Sequence, residues 1–175
     1  MIRMEQPSLV LHSCDVPGYK YKMWKTVELA AGTTSIDVTN QIHSALNEAT
    51  DNHLYNVIIN CHGSPGFLHV GGGGIGFGTG SVSVLRQLKG IGTIGTIWLV
   101  ACEVAKGEQK DLGKDFCSQL AQSANCDVVS SVKTQRVNTG FYLRGHPFGC
   151  IDKYEGLVYR FLPDGDYEVY KPKFQ

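Results

Sequence analysis

The chain predicts an α/β domain, a three-layer α/β/α sandwich around a mostly parallel sheet with a C-terminal β-hairpin. Three observations predict it. Short strand-like runs alternate with segments of helical period, the pattern of βαβ crossovers. Two of those runs, "YNVIIN" and "TIWLVA", are apolar on both alternations, as strands covered on both faces must be. The closing stretch "GLVYRFLPDGDYEVYKP" alternates on two arms around Pro163-Asp164-Gly165, which supplies hairpin turn chemistry.

Taken in order, Ser8–His12 ("SLVLH") is the first strand. Lys25–Leu29 is a second, in the stretch Tyr19–Ile36 where local signals conflict. Val38, Ile42, Ala45, Leu46 and Ala49 form an apolar stripe at helical spacing, with Asp37 or Thr39 as its candidate cap. Tyr55–Asn60 is the next strand, and "FLHVGGGGIGFG" after it is a small surface hairpin. Ser81–Lys89 is a short helix that Gly90 ends. Thr96–Ala101 is a fourth strand. Leu112, Phe116, Cys117, Leu120, Ala121 and Ala124 mark the strongest helix, and Asp127–Val132 a fifth strand before the hairpin. No repeat or linker interrupts this order, so residues 1–175 form one domain.

Composition narrows the function. Hydrophobic residues make up 42% and charged ones 18%, which excludes a disordered chain. A net charge of +0 without a basic stripe gives no footprint for nucleic acid or an acidic membrane surface. No run approaches about 18 uninterrupted apolar residues, so no membrane span is expected. "MIRMEQPSLVLHSCD" holds too short an apolar run for a secretory signal. The six cysteines lack framework spacing and are expected to be reduced thiols in a cytoplasmic protein. Export by a signal-less route leaves the same pattern.

The chemistry gathers where two strands end. "VIIN" runs into Cys61-His62-Gly63, and "IWLVA" runs into Cys102. Reactive groups in open α/β sheets collect at the carboxyl ends of strands. One helical crossover fits between these two, so they are parallel neighbours, about 4.8 Å apart. With matched register, His62 and Cys102 face one crevice, where an imidazole makes a thiol a competent nucleophile. Gly63 lets the backbone turn its N–H into that crevice, and with the N–H of Cys102 it is the candidate oxyanion hole. Cys61, on the opposite alternation, belongs to the core.

These residues resemble a known group. "IINCHGSPG" followed by "IWLVACEVAKG" is similar to the His-Gly and Ala-Cys strand ends of caspase-like cysteine peptidases, which include clostripain, gingipains, metacaspases and self-processing toxin domains. The caspase signature sets His about 50 residues before Q-A-C-[RQG]-G. Here His62 precedes Cys102 by 40 residues, Val100 replaces the Gln, and no Gly follows two residues on. The resemblance implies peptide-bond hydrolysis by a His62–Cys102 dyad without cofactor or metal, acting on a protein or peptide. It also implies a substrate pocket beside the end of the first strand, "LHSCDVPG", where Asp15 would favour Lys or Arg before the cut. Ser130 and Ser131, near the end of the fifth strand, are the other candidate substrate contacts. An activating partner or small effector fits so short a domain, and "EVAKGEQKDLG" is the candidate self-cleavage or gating loop.

Plainer readings stand beside these. Cys102 is equally a small buried hydrophobe, His62 a strand-end histidine bonded to a carbonyl, and Asp15 a turn aspartate before Pro17-Gly18. His12 and His146 are placed to enter the same crevice or to serve the fold. A zinc site lacks the C-x-x-C or His-x₃₋₅-His spacing. Gly71-x-Gly73-x-x-Gly76 matches a dinucleotide fingerprint as a bare pattern, but helix and acidic residue are not where that motif needs them. The alternative of another class is a catalytically silent interaction module of the same fold, followed by a nucleotide-binding α/β domain.

Overall fold

The computed structural model describes residues 1–71, 74–76, 80–107, 112–135 and 145–172. The chain opens with β1 (Ile2–Arg3), β2 (Ser8–Ser13) and β3 (Lys25–Leu29), then α1 (Ser35–Glu48). β4 (His53–Asn60) leads into three short strands, β5 (His62–Ser64), β6 (Phe67–His69) and β7 (Ile75–Gly76). A 3₁₀-helix (Ser81–Leu88), β8 (Thr93–Val100), α2 (Leu112–Ala124) and β9 (Asp127–Ser131) follow. The described elements end with β10 (Cys150–Ile151), β11 (Val158–Phe161) and β12 (Tyr167–Val169).

Among the described residues the main sheet has the order β12-β11-β9-β8-β4-β2-β3. β3, β2, β4, β8 and β9 are mutually parallel, while β11 and β12 add an antiparallel hairpin at one edge. The mixed α/β class, the mostly parallel sheet and the C-terminal hairpin therefore stand as expected. Gly165, at φ +99°, donates to the Leu162 carbonyl at 3.0 Å in the hairpin turn.

Alternation sorts the strand side chains onto two faces. Leu9, Leu11, Val57, Ile59, Ile97, Leu99 and Val128 pack with the buried stripes of α1, the 3₁₀-helix and α2. Val10, Ile58, Trp98 and Val129 pack on the other side with Ile2, Met4, Tyr21, Met23 and Ile151. α1, the 3₁₀-helix Ser81–Leu88 and α2 thus all cover one face, and among the described residues no helix covers the other, which departs from the expected α/β/α layering. The second face is covered by the β1–β10 ribbon and by Cys14–Trp24, the crossover from β2 to β3. That crossover carries Pro17 and Gly18 in its middle, which deny it a helix.

Other local differences have clear causes. The segment from Ser81 is a 3₁₀-helix because its buried residues, Val82, Leu85 and Leu88, recur every third position, matching three residues per turn. Thr34, not Asp37 or Thr39, caps α1: its hydroxyl accepts from the Asp37 N–H, and the Asp37 carboxylate accepts from the Thr34 N–H at 2.8 Å. Thr39 donates instead to the Ser35 carbonyl at 2.8 Å. The glycine-rich hairpin is not confined to the surface, since Leu68, Val70 and Ile75 are buried in the main core. Gly76 lies in β7, where a Cβ would run into the Phe67 ring, and starts no helix. Gly73 of the bare fingerprint lies outside the described residues, as does part of the "EVAKGEQKDLG" loop.

Candidate functional site

β4 and β8 run parallel with Asn60 opposite Val100, the last residue of each strand. The Cys61 N–H continues the pairing to the Val100 carbonyl at 3.4 Å. Two residues beyond the Asn60–Val100 pair on each chain stand His62 and Cys102, both lining one crevice of about 50 Å³. The crevice opens at the carboxyl ends of β2, β4 and β8. β2 and β4 are adjacent in the sheet, but the chain visits β3 between them, and the diverging connections leave a gap.

His62 is exposed, and its Nε2 lies 3.2 Å from the Asp15 carbonyl oxygen. A carbonyl only accepts, so Nε2 carries the proton in the neutral ring and Nδ1 keeps the lone pair. Cys102 is half-buried, and its thiol donates to the Gln135 carbonyl at 3.7 Å. Gln135 is itself clamped: its amide nitrogen donates to Lys133 O at 2.8 Å and its Oε1 accepts from Glu155 N at 3.0 Å. Gly63 lies flat against the second strand end. A Cβ there would meet Cys102 O at 2.7 Å, Val104 Cγ2 at 2.7 Å and Ala101 Cβ at 3.0 Å. Only glycine fits so close an approach of backbone to backbone.

Burial separates the thiols. Cys61 and Cys117 are buried and pushed well above the usual thiol range, and Cys126 is pushed up to about 12. Cys102 and Cys150 are half-buried and Cys14 is exposed.

The expected substrate contacts fare differently. The Asp15 segment reaches the crevice through Val16, Pro17 and Tyr19, while the Asp15 carboxylate accepts from the Ser13 hydroxyl. That bond holds the exposed Asp15 carboxyl below its usual range. Ser130 and Ser131 are fully buried, so neither is offered to a substrate. Ser131 donates to Glu155 O at 2.6 Å and accepts from Lys133 N at 3.1 Å, which fixes the turn leading to Gln135. Ser130 faces the Cys117 thiol of α2.

The two other histidines that the sequence offered, His12 and His146, serve the fold around the crevice. His12 is buried, with Nε2 3.1 Å from Tyr21 O and Nδ1 2.9 Å from the Asn60 amide nitrogen. Burial lowers its pKa. His146 is buried, with Nε2 3.5 Å from Asp152 Oδ1.

Gln135, Asp152, Tyr19 and Tyr21 line the crevice and were not singled out by the sequence. No motif marks them, because all four lie in loops, Asp152 directly after the two-residue β10, with no period to detect. A wider depression of about 530 Å³ lies at the opposite ends of β4 and β8, between Asp51, Asn52, Lys89, Gly92 and Asn125. Among the described residues it offers neither thiol nor imidazole, so the smaller crevice is the candidate site.

No curated protein and no solved structure matches the chain. One family model does, over residues 20–140, a segment that contains His62, Gly63 and Cys102. On that match, covering more than half its length, the chain belongs to the family described as Domain of unknown function (DUF4347).

Proposed function

We propose that the protein is a cysteine endopeptidase of caspase-like architecture, hydrolysing peptide bonds with His62 and Cys102 and preferring a basic residue before the cut. The observation that carries this reading is the matched register of β4 and β8, which sets both residues on one crevice. The tautomer fixed by the Asp15 carbonyl supports it, because Nδ1 is then the basic nitrogen. The proposal includes a cytoplasmic setting, a protein or peptide substrate, and control by an activating partner or small effector.

In this mechanism His62 Nδ1 takes the proton from Cys102 Sγ. The sulfur pair forms a C–S bond to the scissile carbonyl carbon, and the carbonyl π pair moves to oxygen. The oxyanion is held by the N–H groups of Gly63 and Cys102. In the hairpin that closes at the Ser64–Phe67 pair, the next pair, Gly63–Leu68, is the one whose N–H groups point away from the partner strand. Collapse of the intermediate breaks the C–N bond, and the amine leaves with the proton from His62. Water then adds to the thioester, giving up its proton through His62, and the acid departs as the thiol is restored.

Cys102→Ala is expected to abolish cleavage of a fluorogenic peptide panel while leaving the melting temperature in place. Iodoacetamide is expected to label Cys102 of the native protein far faster than exposed Cys14. Labelling of Cys102 no faster than Cys14 would reject the dyad. One observation favours a second reading, a catalytically silent interaction module: the Cys102 thiol donates to the Gln135 carbonyl. Slow labelling with an intact fold is the result that module predicts.

A further inference from the structure

The crevice beside Cys102 is lined by one carboxylate, that of Asp152, and by no Lys or Arg among the described residues. Asp152 follows β10, which is tied to β1 across the second face of the sheet. It therefore reaches the crevice from a different direction than either strand end. Its side chain is 21% exposed. Oδ2 accepts from the Tyr21 hydroxyl at 3.4 Å, and Oδ1 lies 3.5 Å from His146 Nε2. Both contacts are long, so the carboxylate retains accepting capacity toward the crevice.

The wall beside it suits an alkyl stem. Val16 and Pro17 are apolar, Tyr21 presents a ring, and Tyr19 stands 41% exposed near the mouth. A side chain with an apolar stem, a cationic head and affinity for aromatic faces is that of Lys or Arg. A head group fits a crevice of about 50 Å³ with its stem laid along the tyrosines. Asp15, the acid the sequence favoured for this role, is exposed and its carboxylate is engaged by Ser13.

Building on the peptidase reading, we propose that Asp152 selects a Lys or Arg side chain of the substrate, with Tyr19 and Tyr21 as the walls that receive its stem. The test uses two peptidyl acyloxymethyl ketones that differ only in Arg versus citrulline, the neutral isostere, before the warhead. Alkylation of Cys102 is followed by intact mass. The wild-type protein is expected to react at least about 30-fold faster with the Arg compound, as for a partly desolvated charge pair. Asp152→Asn should bring that ratio to within about 3-fold of unity, Asp152→Glu should restore part of it, and Asp15→Asn should keep it.

The failures are distinguishable. A wild-type ratio near one, with Cys102 still labelled rapidly by iodoacetamide, overturns the selection and leaves the dyad standing. A ratio that survives in folded Asp152→Asn, checked by circular dichroism, overturns the assignment to Asp152. The wild-type ratio decides the matter even if that variant does not fold. Cys102 reacting with iodoacetamide no faster than Cys14 removes the dyad, and this proposal with it.

Discussion

Gly63→Ala tests whether the packing of one strand end against the other matters to the chemistry. The added Cβ would sit 2.7 Å from Cys102 O and from Val104 Cγ2, and 3.0 Å from Ala101 Cβ. Ordinary carbon contacts lie near 3.5–4.0 Å, so β5 and the Cys102 turn must separate by roughly 0.7 Å. Two of the three obstacles are not flexible tips: one is backbone and one is a Cβ. Overpacking of this kind costs about 1–3 kcal/mol, which in a domain of this size lowers the melting temperature by roughly 2–12 °C. His62 adjoins the displaced residue, and its distance from the thiol should change by a similar amount. Misplacement on the scale of about 1 Å costs on the order of 100-fold in reactivity. We therefore expect iodoacetamide to label Cys102 at least about 10-fold more slowly in the variant, measured well below its melting temperature. A melting temperature that falls while labelling stays within about 2-fold of wild type would refute the reasoning. Gly63 would then be a packing glycine only.

Four further outcomes follow from the same structure. Gln135→Ala removes the clamp that holds a carbonyl against the thiol, and labelling of Cys102 should rise about 5-fold, the worth of one hydrogen bond near 1 kcal/mol. No rise would mean that this carbonyl does not restrain the sulfur. His12, buried with a lowered pKa, is protonated more readily in the unfolded chain, so stability should fall as pH drops below about 6.5 until the folded pKa is reached. Urea midpoints between pH 7.5 and 5 should show this slope, at most about 1.4 kcal/mol per pH unit, reduced in His12→Gln; an unchanged slope would contradict it. Thr34→Ala dismantles the capping box of α1 and should cost about 1 kcal/mol by denaturant melts. Phe116→Ala, emptying a fully buried position on α2, should cost about 3–5 kcal/mol by the same melts while sparing Cys102 labelling in the folded fraction.

The strands were legible because their burial is uniform. β4 and β8 hold Val57, Ile58 and Ile59 beside Ile97, Trp98 and Leu99, and no alternation other than burial on both faces explains such runs. The placement of His62 and Cys102 at one edge followed from the same runs, since both chains stop pairing at equivalent residues. That the described helices all lie on one face was less legible. Cys14–Trp24 carries Pro17 and Gly18, yet nothing local says that Tyr21 and Met23 turn inward to cover Val10. The period of three at Val82, Leu85 and Leu88 was present in the sequence and is the signal that distinguishes 3₁₀ from α. Asp152 had no such signal. Its position depends on the two-residue pairing of Cys150–Ile151 with Ile2–Arg3, too short for any periodicity.

Two histidines at the same sheet edge are held in opposite ways. His12 is buried, and both ring nitrogens are taken, one by a carbonyl and one by an amide. That is how a histidine serving stability is held, because a buried ring nitrogen left without a partner is costly. His62 is exposed, and its bond to the Asp15 carbonyl fixes orientation and tautomer without the satisfaction that burial would demand. The thiols divide in the same way. Cys61 packs in the core with its ionisation suppressed, while Cys102, one strand over, stays half-buried on the crevice. Stability alone would favour burying both sulfurs and both rings. The edge instead keeps one of each accessible, in matched register, with a glycine that permits the close approach. Local departures from the most stable arrangement that converge on one crevice are the pattern expected of a working site.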